Sequence, residues 1–164
     1  MQPLSHAQLV DLGARWVRRE GFGVVATEVV AVGCREQADV IGLRATCSVV
    51  IEAKASRADF LADWAKPHRH TGGLGLYRFF ACPEGLIDLA ELTKGWGLLY
   101  ATSRSIRDVV RPPGNIWPRR DAASAAWEAF QHQSNDSAER SVLYSIARRL
   151  AGQAGVVRGR SRKT

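Results

Sequence analysis

Asp39, Glu52 and Lys54 are the residues of this chain best placed to do chemistry. Asp39 lies in the apolar stretch Ala38-Asp39-Val40-Ile41-Gly42, and Glu52 and Lys54 lie in a second, Val49-Val50-Ile51-Glu52-Ala53-Lys54. Both stretches read as short strands. Side chains alternate faces along a strand, so Glu52 and Lys54 share one face while Val49, Ile51 and Ala53 line the other. If the two strands form a hairpin, the midpoint between Asp39 and Glu52 falls between Ala45 and Thr46. A short loop there sets Asp39 opposite Glu52, with their side-chain carbons about 5 Å apart. Carboxylates that close repel unless a proton or a cation stands between them. A hard divalent cation, Mg²⁺ or Mn²⁺, suits such a site.

A Glu-x-Lys triplet alone is a weak signal, since both residues are common. Its setting in a run of Val and Ile gives it weight, because an unpaired charge there is expensive. The plainer alternative is an edge strand whose polar face is solvated, with Glu52 and Lys54 as ordinary surface residues.

Asp39 followed by Glu52-Ala53-Lys54 resembles the PD-(D/E)XK nuclease superfamily. The run Ile51-Glu52-Ala53-Lys54-Ala55-Ser56-Arg57-Ala58-Asp59-Phe60 resembles a narrower group within it, small phage and bacterial proteins related to the MmcB-type DNA-repair family. Tyr77-Arg78-Phe79-Phe80-Ala81-Cys82-Pro83-Glu84-Gly85-Leu86-Ile87 and Gly95-Trp96-Gly97-Leu98-Leu99 extend the likeness over roughly residues 24 to 101. Ala38 stands where the superfamily name has Pro, and Trp64-Ala65-Lys66-Pro67-His68 replaces the Lys-Trp-x-x-Tyr of the repair proteins. The resemblance implies an α/β fold with a restriction-endonuclease-like core: an αβββαβ order, a mixed central sheet flanked by helices, and C-terminal helices beyond it.

On that reading, a metal ion would polarise a phosphate oxygen and acidify a bound water. Asp39 and Glu52 are the expected ligands, and the backbone carbonyl of Ala53 could add a third oxygen. Lys54 would orient the attacking water or offset charge growing on the phosphate. Glu28, in Thr27-Glu28-Val29-Val30, stands where the family pattern has a Glu and is assigned as a metal or water-network ligand. Its alternative is a solvent-facing strand residue, and a register slip of one would turn it away from Asp39.

Ser56 and Asp59 match the family motif, yet helix capping accounts for both, and a helix starting there could bind phosphate. Asp63, one turn later, reads as a surface residue. Arg57, Lys66, His68, Arg69 and His70 form a basic group near the site, and Ser56, Arg57, Lys66, His68 and Arg69 are the expected contacts to a DNA backbone. His68 and His70 lack a nearby Cys or acidic partner and do not make a zinc site. Gln37 is a weak candidate to support Asp39. Gly72-Gly73-Leu74-Gly75 has no following Lys-Ser/Thr and is not a triphosphate-binding loop. Trp96, Trp117 and Trp127 read as core.

The elements that must position these residues follow from periodicity. An amphipathic helix spans 6–20, with Ser5 as N-cap and Leu9, Leu12, Trp16 and Val17 on one face. A strand covers 24–32, then the hairpin strands 38–44 and 48–54, and a helix from about 57 to Lys66, ended by Pro67. Strands follow at 76–82, 97–102 and 104–110, and two helices near 121–132 and 137–151. The second of these has Val142, Leu143, Ile146 and Leu150 at helical spacing.

At 164 residues and 46% hydrophobic, the chain has the material for one domain, taken as 1–152, with a basic and disordered tail at 153–164. No apolar run reaches the roughly 20 residues needed to span a bilayer. Met1 to Gln8 lacks a signal-peptide pattern, and the spaced Cys34, Cys47 and Cys82 suit reduced thiols, so the expected location is the cytoplasm. The net charge of +7 suits a polyanion. Arg111, Arg119 and Arg120 flank a Pro-rich loop, Arg148 and Arg149 end a helix, and Arg158, Arg160, Arg162 and Lys163 form the tail.

The expectation is therefore a metal-dependent DNA endonuclease, acting in repair, recombination or phage DNA processing on DNA structure more than on sequence. The alternative is a non-catalytic DNA-binding module that keeps the nuclease fold as a subunit of a repair complex. An RNA substrate is a third possibility. Homodimerisation and protein partners in repair are open, and no membrane partner is expected.

Overall fold

The computed structural model describes residues 4–30, 36–63 and 72–155. Helix α1 (His6–Arg19) starts where expected. Ser5 accepts from the Gln8 amide while the Gln8 side chain accepts from the Ser5 amide, a reciprocal cap. The helix stops at Glu20, before Gly21 in the left-handed region (φ 86°).

Six strands follow: β1 (Val24–Val29), β2 (Ala38–Leu43), β3 (Ser48–Ala53), β4 (Tyr77–Pro83), β5 (Trp96–Ala101) and β6 (Ile106–Val110). They form one mixed sheet whose spatial order is the order of the sequence. The pairs β1–β2, β2–β3 and β5–β6 are antiparallel, whereas β3–β4 and β4–β5 are parallel. A parallel neighbour requires a crossover. Helix α2 (Arg57–Asp63) lies in the first crossover, and a 3₁₀ turn at Leu89–Glu91 in the second. Helices α3 (Ala125–Glu128) and α4 (Asp136–Ala154) follow the sheet.

Alternation divides the sheet into two covered faces. Val40, Val49, Ile51, Tyr77, Phe79 and Leu99 pack with Leu9, Leu12, Trp16 and Val17 of α1 and with Trp117 and Trp127. On the other face, Ile41, Leu43 and Val50 pack with Val142 of α4, and Phe80, Cys82 and Leu98 pack with Phe60 of α2. The approach of α1 to β2 depends on Gly42, where an added Cβ would lie 2.3 Å from Val17 Cγ1.

The three tryptophans expected in the core are each at most 2% exposed. Arg111, counted in the sequence among surface charges facing a polyanion, is instead structural. It bridges Glu20 and Asp108 at 3.0 Å each and lies over the rings of Trp16 and Trp117. The Trp117 and Trp16 indoles donate to Glu20 and Asp108, closing the network between α1, β6 and the Trp117 loop.

Two expected elements are shorter in the structure. The first strand ends at Val29, not Val32; residues 31–35 lie outside the described ones. The helix expected at 121–132 is only a 3₁₀ turn at Arg120–Ala122 and the four-residue α3. Trp127 is drawn into the core. The following backbone leaves the helical ladder to bridge β4, Gln131 pairing with Tyr77 and the His132 amide donating to the Leu76 carbonyl at 2.8 Å. Tertiary pairing overrides a locally helical composition.

His132 carries the first prediction. Its ring Nε2 donates to the Gly95 carbonyl at 3.0 Å. Burial, and then the Arg78 guanidinium, push its pKa down to about 4 from 6.5. Between these values the unfolded chain binds a proton that the folded chain rejects. Stability is therefore greatest above about pH 6.5 and falls as the pH drops toward 4, by at most about 3 kcal/mol. Urea midpoints at pH 7 and pH 4.5 should draw together in His132→Gln. An unchanged gap would remove His132 as the cause.

Candidate active site

The hairpin has the register that centres its turn between Ala45 and Thr46. Val40 pairs with Ile51, Ile41 with Val50, Gly42 with Val49 and Leu43 with Ser48, and the Arg44 amide donates to the Cys47 carbonyl across the turn. Continued by one residue, this register sets Asp39 opposite Glu52. A hydrogen bond holds the first carboxylate there, the Ala53 amide donating to Asp39 Oδ2 at 2.8 Å.

Lys54 continues past the end of β3, its amide donating to the Ala81 carbonyl of β4 at 2.9 Å. Its ammonium lies 3.5 Å from Glu52 Oε2 and 3.4 Å from Asp63 Oδ2. Glu52, Lys54 and Asp63 are each at most 3% exposed. The charged triplet is thus an interior ion cluster, and the solvated edge-strand alternative does not hold for Glu52 and Lys54. Asp39 differs, with 17% of its side chain exposed.

Asp63 corrects the sequence reading, which placed it on the surface. Phe60, one turn earlier on α2, packs on Phe80 of the sheet in an edge-to-face contact. That docking turns the face shared by Phe60 and Asp63 inward, and Asp63 is 2% exposed.

Glu28 is more complicated. Thr27 pairs with Val40 and Val29 with Ala38, so Glu28 occupies the register position opposite Asp39. Its backbone, however, is left-handed (φ 50°), uncommon for a residue with a side chain. The alternation breaks there: Val24, Ala26 and Val29 all pack toward the α4 cluster. The Glu28 side chain is exposed. Gln37 donates to the Glu28 carbonyl at 3.5 Å and serves that bend. Among the described residues, no three His, Cys, Asp or Glu side chains converge to hold a metal ion.

The structure adds a group that the sequence reading missed. His6, in the first turn of α1, places Nε2 3.4 Å from Asp39 Oδ1 and is 43% exposed. Its signal was only a helix N-terminus, since 33 positions separate it from Asp39. One further buried charge was legible by the same logic as Glu52, and another, Glu36, was not. Arg78, in the apolar run Tyr77-Arg78-Phe79-Phe80, is 1% exposed, with its guanidinium donating to the Gly75 and Gly72 carbonyls. Glu36 is 4% exposed and accepts from the Leu74 amide at 2.6 Å.

The expected DNA contacts among the described residues, Ser56 and Arg57, are exposed but already engaged within the protein. Arg57 forms a two-pronged pair with Glu91 at 2.6 and 2.7 Å and donates to the Leu86 carbonyl. That pairing holds the Glu91 carboxyl below its ordinary range. Ser56 caps α2, accepting from the Asp59 amide at 3.2 Å. Lys66, His68, Arg69 and His70 lie outside the described residues, as does Cys34. Cys47 and Cys82 are buried free thiols, their pKa values raised by burial to about 11 and about 12.

No family model matches this chain, and no curated protein does. Among solved structures, the SPO1766 protein of unknown function from Silicibacter pomeroyi is similar to it. The likeness covers 94% of this chain and 93% of that one, at 26% identity and a TM-score of 0.60. The mixed α/β architecture is therefore shared along nearly the whole length of both chains. No described helix is long and apolar enough to cross a membrane.

Proposed function

We propose that this protein is a metal-dependent nuclease with a restriction-endonuclease-like αβββαβ core, hydrolysing phosphodiester bonds in DNA. The observation that carries the reading is the pairing of Asp39 with Glu52 across a hairpin, with Lys54 in ionic contact with Glu52. The element order supports it: a helix, three antiparallel strands, a helix, and a strand parallel to the third.

The donors fit a hard cation. Asp39 and Glu52 offer carboxylate oxygens, and the Ala53 carbonyl lies between Glu52 and Lys54 in sequence. Two carboxylates with water and phosphate in the remaining positions suit Mg²⁺ or Mn²⁺ better than Ca²⁺ or Zn²⁺. Such an ion, when bound, would supply Lewis acidity toward a phosphate oxygen and acidify its water. The chain's own residues do the rest. The Ala53 amide orients Asp39, and Lys54 places a positive charge beside Glu52, where negative charge on a phosphate would grow. His6 sets a second polar group on the exposed side of Asp39, within reach of solvent.

One observation favours the second reading, a DNA-binding module without catalysis. Glu52 and Lys54 are nearly excluded from solvent, and Lys54 already contacts two carboxylates. A catalytic lysine in that setting must exchange one of them for substrate.

The two readings separate in one assay. Purified protein and Asp39→Asn are incubated with supercoiled plasmid and with branched DNA in Mg²⁺, in Mn²⁺ and in EDTA. Asparagine can still accept from the Ala53 amide, so the fold is kept. The nuclease reading expects metal-dependent cutting that falls about 100-fold or more in the variant. DNA binding by both forms with no cutting in any metal would sink it and leave the binding module.

A further inference from the structure

The entire formal charge excess of this protein lies in its last 25 residues. From Arg140 onward there are seven basic residues and no acidic one, while residues 1–139 carry sixteen of each. Helix α4 presents the part of this excess that lies in described residues.

Arg140, Tyr144 and Arg148 recur at i, i+4 and i+8 and so form one line along α4, with steps of about 6 Å. Together with Ser141, Ser145, Arg149 and Val30 they line a cavity of about 400 Å³. None of its described lining residues is acidic. Arg140, Arg148 and Arg149 form no ion pair among the described residues. Three other exposed arginines are paired, Arg57 with Glu91, Arg107 with Glu84 and Arg119 with Asp121. Arg15, Arg18, Arg19 and Arg104, also without an ion pair among the described residues, have no exposed aromatic ring set between them on one helix line. Tyr144 is 67% exposed, although Val142 and Ile146 of the same helix pack on the sheet.

We propose that this line is a docking surface for single-stranded nucleic acid, with Tyr144 stacking on a base and the flanking arginines meeting phosphates. Base stacking on an exposed aromatic ring between cationic groups is the usual sequence-tolerant mode of single-strand binding. A duplex offers no free base face to such a ring. An anionic membrane fits less well. There, apolar and basic residues occupy opposite faces of a surface helix, whereas here the ring and the guanidinium groups share one line. The cavity also lies at the right end of the sheet. Val30 directly follows Val29, which pairs with Ala38, the neighbour of Asp39. The inference deepens the nuclease reading by naming the substrate as DNA with an unpaired strand, and rests on it for that role. Its test reads binding in EDTA, so loss of one does not entail loss of the other.

The experiment measures fluorescence anisotropy of a labelled 20-nucleotide single strand, and of the same sequence as a duplex, over a range of salt. Full-length wild type, Tyr144→Ala, the double variant Arg148→Ala/Arg149→Ala and the control Arg107→Ala are compared, with sedimentation on phosphatidylserine vesicles as a separate arm. All these side chains are exposed, and circular dichroism verifies that each variant is folded. Tyr144→Ala should weaken single-strand binding about 10-fold and duplex binding less than about 2-fold, with Arg107→Ala matching wild type. The double variant should lower the slope of log K against log salt by about 1.4. Unchanged single-strand affinity in Tyr144→Ala, equal losses on strand and duplex, or binding to vesicles in place of the strand would each overturn the proposal.

Discussion

Lys54→Met is expected to lower the unfolding free energy by about 3–5 kcal/mol, a large effect for one surface-sized side chain. The ammonium lies against two carboxylates, Glu52 and Asp63, both 2% exposed. At an effective dielectric of about 20, each contact near 3.5 Å provides roughly 5 kcal/mol of Coulomb attraction. Most of that is offset by the cost of removing three ions from water, so the intact cluster adds little net stability. Deleting the ammonium is another matter, because both buried carboxylates then lose the charge they share. Urea unfolding followed by tryptophan fluorescence measures the loss. The triple variant Glu52→Gln/Lys54→Met/Asp63→Asn should recover most of it, since no ion is then stranded. A Lys54→Met protein as stable as wild type would mean that the cluster is far wetter than its burial implies. The result also governs how activity is read: loss of cutting in a Lys54 variant means something only beside a measured fold.

The second large effect concerns Trp117. Its ring meets Phe22, Tyr77 and Trp127 edge-on at 5.1, 5.3 and 5.3 Å, and Trp16 and Phe79 at 6.0 Å. Its indole donates to Glu20 and its carbonyl accepts from the Cys47 thiol. One residue thus ties the loop after β6 to α1, β4 and the hairpin turn. Trp117→Ala should cost about 3–5 kcal/mol, equivalent to a drop in Tm of roughly 6–20 °C for a chain of this size. Thermal unfolding checks it, and a drop under 2 °C would show that the loop repacks without the ring. The left-handed backbone at Trp117 (φ 47°) adds a finer expectation. Glycine tolerates that conformation better than alanine, so Trp117→Gly should lose no more than Trp117→Ala despite its greater freedom when unfolded.

Much of the fold was legible because its strands are short, apolar and sharply bounded. The cap at Ser5, the hairpin centred on Ala45 and Thr46, and the strand ending near Cys82 all follow from local signals. The Asp39–Glu52 register was readable for the same reason: a tight turn leaves little freedom in pairing. What could not be read depends on contacts distant in sequence. Asp63 looks exposed until Phe60 docks on Phe80, and His6 has no visible relation to Asp39 until α1 crosses the sheet. Glu28 shows another limit, since a single left-handed residue undoes the alternation from which its direction was argued. The helix expected around 121–132 had favourable composition, but the pairing of Gln131 with Tyr77 competes with it and prevails. Arg78 was a different kind of miss. Its signal, a charge in an apolar strand, is the one that singles out Glu52.

The order of strands in the sheet has a consequence for how the protein is made. Each strand from β2 onward emerges from synthesis with its sheet neighbour already present, so pairing can proceed from the N-terminus without waiting. One face cannot keep pace. Val29, Ile41, Leu43 and Val50 belong to the first three strands, but Val142, which covers them, arrives about 90 residues after β3. At ordinary rates of translation that interval is roughly 5–20 s. During it, the nascent chain carries an apolar surface with no covering helix of its own. This is the stage at which a chaperone, or another copy emerging nearby, would find something to hold.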